Sequence, residues 1–144
     1  CSQNPIVLGD QDELLQVFSN LIRNSMQAID DAQRALRADP GTNIKIGAPA
    51  KVWFSTEVMA TESGNRVRVR IHDNGPGIDD KDLPRVFESS FTTKSVEEGT
   101  GLGLSIARRF IRALDGEITV EKSVAGVETV FLIELPEQKS RTNG

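Results

Sequence analysis

The chain has 144 residues, the length of one ordinary domain with its own hydrophobic core. Hydrophobic residues make up 38% of it and charged residues 26%, which is typical of a soluble globular protein. Its net charge of −4, without a basic cluster or an apolar run near the roughly 20 residues of a membrane span, argues against a nucleic-acid surface and against direct membrane contact.

Cys1 is the only cysteine, so no internal disulfide is possible, which is compatible with a reducing compartment. A chain that begins with Cys1 rather than methionine suggests a piece of a longer protein. We expect one domain over residues 1–136, followed by a polar, disordered tail over residues 137–144.

The first long element is a helix that is predicted to begin after Asp10. Asp10 has the character of an N-cap, and Glu13 supplies the acid of a capping box. Pro5 limits residues 4–8 to an edge strand or an extended lead-in, and residues 39–41 (Asp-Pro-Gly) end the helix. Its buried stripe is predicted to contain Leu14, Phe18, Leu21, Ile22, Ser25, Ile29, Ala32 and Leu36.

Two asparagines in the same helix require an explanation, because asparagine is a mediocre helix former. Asn20 and Asn24 are four residues apart, so they share a face at the boundary of the core. One interpretation is a magnesium site, since amide oxygens are hard ligands and magnesium keeps most of its waters while it binds phosphate. The other is that both amides form hydrogen bonds with neighbouring loops.

A strand that ends in an acidic, glycine-rich turn follows the helix. Residues 67–71 alternate apolar and polar, and counting on by twos places Asp73 on the core side. A buried carboxylate is costly unless a partner donates hydrogen bonds to it. Residues 74–77 (Asn-Gly-Pro-Gly) let another backbone or a ligand approach closely. An exposed N–H, such as the exocyclic amine of adenine, would satisfy Asp73; alternatively, Asp73 only caps the turn.

The other elements are predicted from the same patterns. Residues 51–58 form a strand with Val52, Phe54 and Val58 on one side, and residues 82–87 form a short helix. Residues 89–99 have few apolar side chains and are predicted to be a mobile flap. Residues 102–114 form a helix, and residues 117–135 form a closing hairpin. The apolar face of that helix contains Ile106, Phe110, Ile111 and Leu114.

A glycine-rich loop over residues 99–104 leads into this second helix. Glycines let backbone N–H groups point at an anion, which the positive end of the helix favours. The loop is not a P-loop, because no Gly-Lys-Ser/Thr follows, and its third glycine comes too early for a dinucleotide fingerprint. Lys94, next to Thr93, either supplies a cation to a terminal phosphate or is a solvated loop lysine.

These features occur in an order that resembles the catalytic ATP-binding domain of bacterial sensor histidine kinases, within the gyrase, chaperone, kinase and MutL superfamily. The likeness extends over residues 6–135. Residues 20–28 resemble the asparagine box and residues 73–78 the first glycine box. Residues 86–94 resemble the phenylalanine box in its nitrogen-regulation-type form, and residues 99–107 resemble the second glycine box.

The resemblance implies a Bergerat-type α/β fold, an α+β two-layer sandwich with helices on one face of a mixed, mainly antiparallel sheet. It implies that Asn24 coordinates Mg2+ with the support of Asn20, and that Asp73 accepts the adenine amine of ATP. It assigns catalytic roles to Asn24 and Lys94. Further nucleotide contacts are implied for Gly75, Gly77, Ile78, Phe87, Thr93, Lys94, Gly99, Thr100, Gly101, Leu102, Gly103 and Leu104.

One difference within the superfamily bears on the reaction. Gyrase-like and MutL-like ATPases carry a water-activating glutamate where this chain has Asn20, and an amide cannot act as a general base. The resemblance therefore implies phosphoryl transfer to a histidine on a separate dimerisation or phosphoacceptor domain, and onward to a response regulator. His72, the only histidine, lacks the helical hairpin of such an acceptor, so we expect a solvated strand residue.

The resemblance also implies a homodimeric full-length protein, in the cytoplasm or as the cytoplasmic part of a membrane-bound sensor, with this piece a monomer. Two other functions are compatible with the motifs. One is an anti-sigma-factor-like serine kinase. The start at Cys1 and the phenylalanine box, with Phe87 and Phe91, argue against it. The other is a nucleotide sensor that binds ATP without transfer, which the intact Asn24, Asp73 and glycine boxes disfavour.

Overall fold

The computed structural model describes residues 4–88 and 103–139, which form a four-stranded sheet with two helices on one face. The helices are α1 (Gln11–Ala38) and α2 (Gly103–Ala113), and a short 3-10 helix spans Leu83–Arg85. The strands are β1 (Val52–Thr61), β2 (Gly64–Asp73), β3 (Glu117–Val124) and β4 (Glu128–Pro136). Within these two described stretches, no helix is long and apolar enough to cross a bilayer.

The strand order is β1-β2-β4-β3, and each neighbouring pair is antiparallel. The predicted α/β class, with helices packed on one face, is confirmed. The described sheet is antiparallel throughout, whereas a mixed, mainly antiparallel sheet was predicted. The reason is that β1–β2 and β3–β4 are each joined by a tight turn, and such turns connect only antiparallel strands.

Helix α1 begins at its predicted cap and buries one stripe. The Asp10 carboxylate accepts hydrogen bonds from the backbone N–H groups of Asp12 (2.9 Å) and Glu13 (3.0 Å), which would otherwise be unpaired at the helix start. At the other end, the N–H of Asp39 donates to the carbonyl of Ala35. The buried stripe consists of Val17, Leu21, Ser25, Ile29 and Ala32. Ser25 is the only polar member of this stripe.

The core lies between the helices and the inner face of the sheet. Leu21 of α1 and Ile111 of α2 are fully buried against Ile71 and Phe131 of the central strands. Burying each such side chain stabilises the fold by about 1.5–3 kcal/mol. This packing fixes the position of α1, which carries the two asparagines, over the end of β2, which carries Asp73.

Strand register confirms that Asp73 faces the core. Asp73 pairs with Val52 on β1 and with Thr129 on β4, and it follows Val69 and Ile71 on the inner face. Phe54, which pairs with Ile71 on the same face, is nevertheless 50% exposed. The reason is that β1 is an edge strand, whereas the helices pack over the middle of the sheet.

The prediction of a solvated His72 is wrong. Only 8% of the residue is exposed, on the sheet face opposite the helices. Its Nε2 lies 2.7 Å from Ser55 Oγ, and its Nδ1 lies 2.8 Å from a Glu128 carboxylate oxygen. Its ring stacks on Trp53, with ring centroids 5.1 Å apart. Side chains from the two neighbouring strands therefore cover a histidine that alternation alone places at the surface.

The two described ends of the chain meet at the edge of the domain. Ile6 forms an isolated antiparallel bridge with Gln138, so the lead-in is extended as predicted. The N–H of Glu137 donates to the carbonyl of Asn65. Residues 137 and 138, which we predicted as part of a disordered tail, thus bind to the domain through their backbone.

Candidate functional site

A small cavity lies where α1 crosses the end of β2. Its volume is about 30 Å³, far below the roughly 300–1,000 Å³ of a typical small-molecule pocket. A purine ring would require the cavity to widen. One loop, residues 76–78, supplies part of the lining. The lining residues are Asn24, Ala28, Asp73, Pro76, Gly77, Ile78, Thr129 and Phe131. Four of the predicted site residues are therefore brought together: Asn24, Asp73, Gly77 and Ile78.

Asp73 is buried at this cavity, with 4% of the residue exposed. The Gly75 N–H donates a hydrogen bond of 3.0 Å to its Oδ1. A Cβ at Gly75 would lie 2.9 Å from that same oxygen, so only glycine allows this close approach. Burial raises the pKa of the Asp73 carboxyl, whereas the Gly75 N–H and the Ser25 hydroxyl lower it. Burial of the carboxylate is thus costly, and few hydrogen-bond donors offset that cost.

Two buried hydroxyl groups near Asp73 form no well-aligned hydrogen bond with any described group: Ser25 Oγ and Thr129 Oγ1. We did not predict either as a site residue. Both signals were nevertheless in the sequence, because Ser25 interrupts an apolar helical stripe and Thr129 occupies an inward position on β4. Buried polar atoms without partners are rare in native structures, so both mark this place as unusual.

Asn74 ties the turn after Asp73 to the loop that precedes β1. Its side-chain oxygen accepts the Lys51 N–H at 2.8 Å, and its side-chain amide donates to the Pro49 carbonyl at 2.9 Å. Its backbone carbonyl accepts the Gly47 N–H at 2.7 Å. Asn74 is 6% exposed, so its side of these bonds is shielded from water, whereas Lys51 and Pro49 are exposed. One side of the glycine turn is therefore held in place.

The β3–β4 turn holds the other side. The Ile78 N–H donates to Ser123 Oγ at 2.8 Å, and the Gly126 N–H donates to the Gly75 carbonyl at 2.8 Å. Gly77 has a φ of 78°, and a Cβ there would lie 3.2 Å from the Ala125 backbone, so glycine is required for both its conformation and its contact. The glycine turn is clamped between two loops that are distant in sequence.

We expect Asn74→Ala to lower the free energy of unfolding by about 1–3 kcal/mol, because it removes the two part-buried hydrogen bonds to the Lys51 N–H and the Pro49 carbonyl. Urea denaturation measures this change. Asn43→Ala, at an exposed position, is the matched control and should stay within about 0.5 kcal/mol. Equal stabilities for the two variants would show that Asn74 does not clamp the turn.

The two helical asparagines have different surroundings. The Asn20 side-chain amide donates to the carbonyl of Gly103, at the first residue of α2, at 3.2 Å. Asn24 lines the cavity beside Asp73. Asn20 thus forms the hydrogen bond to a neighbouring segment that one interpretation predicted, and Asn24 alone reaches the cavity. Asn20 places the start of α2, which lies within the second glycine box, next to the asparagine box.

Phe87 and Leu104 pack against the core and are not part of the cavity lining. Phe87 packs edge-to-face on Phe131, with ring centroids 6.3 Å apart, and the Arg108 guanidinium lies 4.8 Å from its ring centre. Leu104 packs against the same core. Since Phe131 lines the cavity, Phe87 supports its wall. Direct contact of Phe87, Leu104 or Gly103 with a nucleotide stays a prediction.

The other predicted site residues lie outside the described parts of the chain. They are Thr93, Lys94, Gly99, Thr100, Gly101 and Leu102. The predicted flap and most of the phenylalanine box lie outside them as well, so the nitrogen-regulation-type form of that box stays a prediction. Among residues 4–88 and 103–139, no three His, Cys, Asp or Glu side chains come together as a metal site.

A larger groove of about 510 Å³ runs along a neighbouring face of α1. Its described lining consists of Ser19, Ile22, Arg23, Met26, Gln27, Asp30 and Arg34. It includes none of the predicted site residues. We therefore assign the site to the small cavity at Asp73, where buried polar groups converge, rather than to the larger volume.

Comparison with known proteins gives a consistent result. Residues 9–139 match the family model described as histidine kinase-, DNA gyrase B-, and HSP90-like ATPase. The two-component sensor PprA of Pseudomonas aeruginosa is 36% identical over 94% of this chain, which covers 13% of that protein. The sensory histidine kinase/phosphatase NtrB of Rhizobium meliloti is 30% identical over 94% of this chain, which covers 33% of that protein. The chain thus spans a third or less of these relatives.

Solved structures agree with the sequence relatives. The catalytic domain of histidine kinase ThkA has a TM-score of 0.65 and 30% identity, covering 91% of this chain and 70% of that one. Full-length ShkA in complex with AMPPNP has a TM-score of 0.65 and 26% identity, covering 94% of this chain and 24% of that one.

Proposed function

Because the chain belongs to the histidine kinase-, DNA gyrase B- and HSP90-like ATPase family, as the ATP-binding catalytic domain of a histidine kinase, we propose that it donates the γ-phosphate of Mg-ATP to a histidine on a separate domain. The observation that carries this proposal is the buried Asp73 carboxylate at a cavity shared with Asn24 and the first glycine box. The neighbouring domain is the dimerisation and phosphoacceptor domain of the same full-length protein.

Asp73 is suited to a base that presents an exocyclic amine. Its carboxylate accepts only one hydrogen bond from a described backbone N–H, although an ionised carboxylate offers about four acceptor positions. An amine donor in the cavity would offset part of the cost of burying the charge. The unpaired Thr129 hydroxyl in the same lining offers a second polar contact. These groups fit adenine, which is also the base of the AMPPNP bound to ShkA.

The metal and the phosphates would lie between Asn24 and the start of α2. Magnesium keeps several waters and binds through few protein ligands plus substrate phosphates, so the Asn24 amide oxygen suits it. The first backbone N–H groups of α2 have no partner within the helix and favour an anion. The bond from Asn20 to Gly103 holds these two parts of the site together. Thr93, Lys94 and residues 99–102 complete the phosphate contacts in this proposal.

The donor side of the reaction requires positioning and charge neutralisation rather than covalent catalysis by this chain. The bond between the γ-phosphorus and its bridging oxygen breaks, a bond to an imidazole nitrogen forms, and ADP leaves. Asn20 cannot activate water in place of that imidazole. A response regulator would then receive the phosphoryl group. The full-length protein is proposed to be a homodimer with this domain in the cytoplasm.

The test is transfer from ATP with a labelled γ-phosphate to the phosphoacceptor domain of the full-length protein, with and without magnesium. We expect a labelled acceptor only when this chain, ATP and magnesium are all present, and no label when the acceptor histidine is replaced by glutamine. Calorimetry in parallel measures ATP binding. Tight binding without transfer would support a nucleotide sensor instead, and label stable in acid, as phosphoserine is and phosphohistidine is not, would support a serine kinase.

A further inference from the structure

We propose that Ser25 is a positioning residue of the nucleotide site, whose buried hydroxyl fixes the orientation of the Asp73 carboxylate and acts on the nucleotide only through it. The inference rests on the proposed function, because it assumes that Asp73 accepts the base amine. Ser25 is not part of the cavity lining, but Asn24 and Ala28, beside it on α1, line the cavity together with Asp73.

The position of Ser25 does not suit an ordinary helical serine. Only 1% of the residue is exposed, and its neighbours on the buried stripe are Leu21 and Ile29. A serine inside a helix usually points to solvent or donates to the carbonyl four residues before it. Ser25 does neither, since its hydroxyl forms no well-aligned hydrogen bond with a described group. A hydroxyl buried without a partner is costly, so a role at this place has to offset that cost.

The carboxylate beside it has few other partners. Within the described residues, the groups that stabilise the ionised form of Asp73 are the Gly75 N–H and the Ser25 hydroxyl, against the effect of burial. In the described part of the chain, no charged side chain shifts the pKa of Asp73, and its strand neighbours are Val52 on β1 and Thr129 on β4. A hydroxyl rotates freely, so Ser25 can donate to whichever carboxylate oxygen the bound base leaves free.

Thr129 provides a contrast within the same site. Its hydroxyl is also buried and forms no well-aligned hydrogen bond with a described group, but Thr129 lines the cavity and can contact the occupant itself. Ser25 can reach the occupant only by way of Asp73. The two hydroxyls therefore have separable effects. Loss of the Ser25 hydroxyl weakens ATP binding only while residue 73 is a carboxylate, whereas loss of the Thr129 hydroxyl weakens ATP binding whether or not residue 73 is a carboxylate.

Removal of the Ser25 hydroxyl has two expected effects. Asp73 keeps one donor and rotates more freely, so ATP binds roughly 3- to 10-fold more weakly, the range for one hydrogen bond. The carboxyl also protonates at a higher pH, because a group that lowered its pKa is gone. ATP binding needs the ionised acceptor. On acidification, the ATP affinity of the variant therefore begins to fall at a higher pH than that of wild type. KM rises while kcat is kept, since the lost contact serves binding in both the ground and the transition state.

The experiment measures the ATP dissociation constant of the full chain by calorimetry in a pH series that runs from neutral down toward the ordinary pKa of an aspartate, about 3.9, for wild type, Ser25→Ala and Ser25→Thr. Ser25→Ala should bind more weakly, with its acid midpoint moved to higher pH, and Ser25→Thr should restore both. Ser25→Ala should cost no further affinity in an Asp73→Asn background, because the two effects are coupled through one carboxylate.

Two outcomes would overturn the inference. An unchanged acid midpoint in Ser25→Ala, whatever its stability to urea, would assign Ser25 a packing role only. An equal loss of affinity with and without the Asp73 carboxylate would show that Ser25 does not act through it. Failure of the proposed function looks different, since wild type itself would then either bind no ATP at any pH or bind ATP without transfer to the acceptor histidine.

Discussion

Asp73→Asn is expected to weaken ATP binding by about 1.5–3 kcal/mol, roughly 10- to 150-fold in Kd. The substitution replaces a charged acceptor with a neutral amide in a site where only 4% of the residue is exposed. In such surroundings a charge-assisted hydrogen bond is stronger than in water, because the solvent does not compete for the amine donor. The side-chain shape is preserved, so the loss of ATP affinity measures the effect of the charge and of the acceptor capacity.

The fold should tolerate this change. The asparagine oxygen can still accept the Gly75 N–H, and the cost of burying a carboxylate is removed. Calorimetric titration with ATP and magnesium measures the effect, and urea denaturation confirms that the variant is folded. Asp80→Asn, the same change at an exposed position, is the matched control and should bind like wild type. Wild-type affinity in Asp73→Asn would exclude Asp73 from base recognition.

Asn24→Ala is expected to reduce magnesium-dependent transfer to the phosphoacceptor domain by at least about 100-fold, the cost of removing one group that positions or neutralises transition-state charge. Asn24 lines the cavity next to Asp73, where an amide oxygen can bind the metal that holds the phosphates. Alanine is an excellent helix former, so α1 should remain intact.

Initial rates of acceptor labelling at several magnesium concentrations measure this effect. If Asn24 is a metal ligand, added magnesium should partly restore the rate of the variant, and ATP binding without magnesium should be less affected than transfer. Asn43→Ala provides a control at an exposed position, where the same side chain is lost outside the site. Transfer at the wild-type rate by Asn24→Ala would place the metal elsewhere.

Much of the fold was predictable because it follows from short-range patterns. The Asp10 cap, the stripe through Leu21 and Ile29, and the alternation that leads to Asp73 are each contained in a few consecutive residues. The order of the boxes identified the family, which the comparison with known proteins confirmed. The residues proposed for magnesium and for adenine, Asn24 and Asp73, line one cavity.

Other features depend on which strands become neighbours. His72 was predicted to be solvated because alternation gives only the face of a strand, whereas its burial comes from Ser55 on β1 and Glu128 on β4. Phe54 faces the core side yet is half exposed, because β1 lies at the sheet edge. Sequence periodicity contains no information on either point.

By itself, the amino-acid sequence determined the helices and strands, the inward register of Asp73 and the family of the chain, because caps, periods and box motifs act over a few neighbouring residues. Only the tertiary structure decided what surrounds that carboxylate. Ser25 on α1 and Thr129 on β4 are next to it, and Asn74 and Ser123 hold the turn that follows it. Their approach results from the packing of α1 on the sheet and from strand register, which are long-range properties of the folded chain.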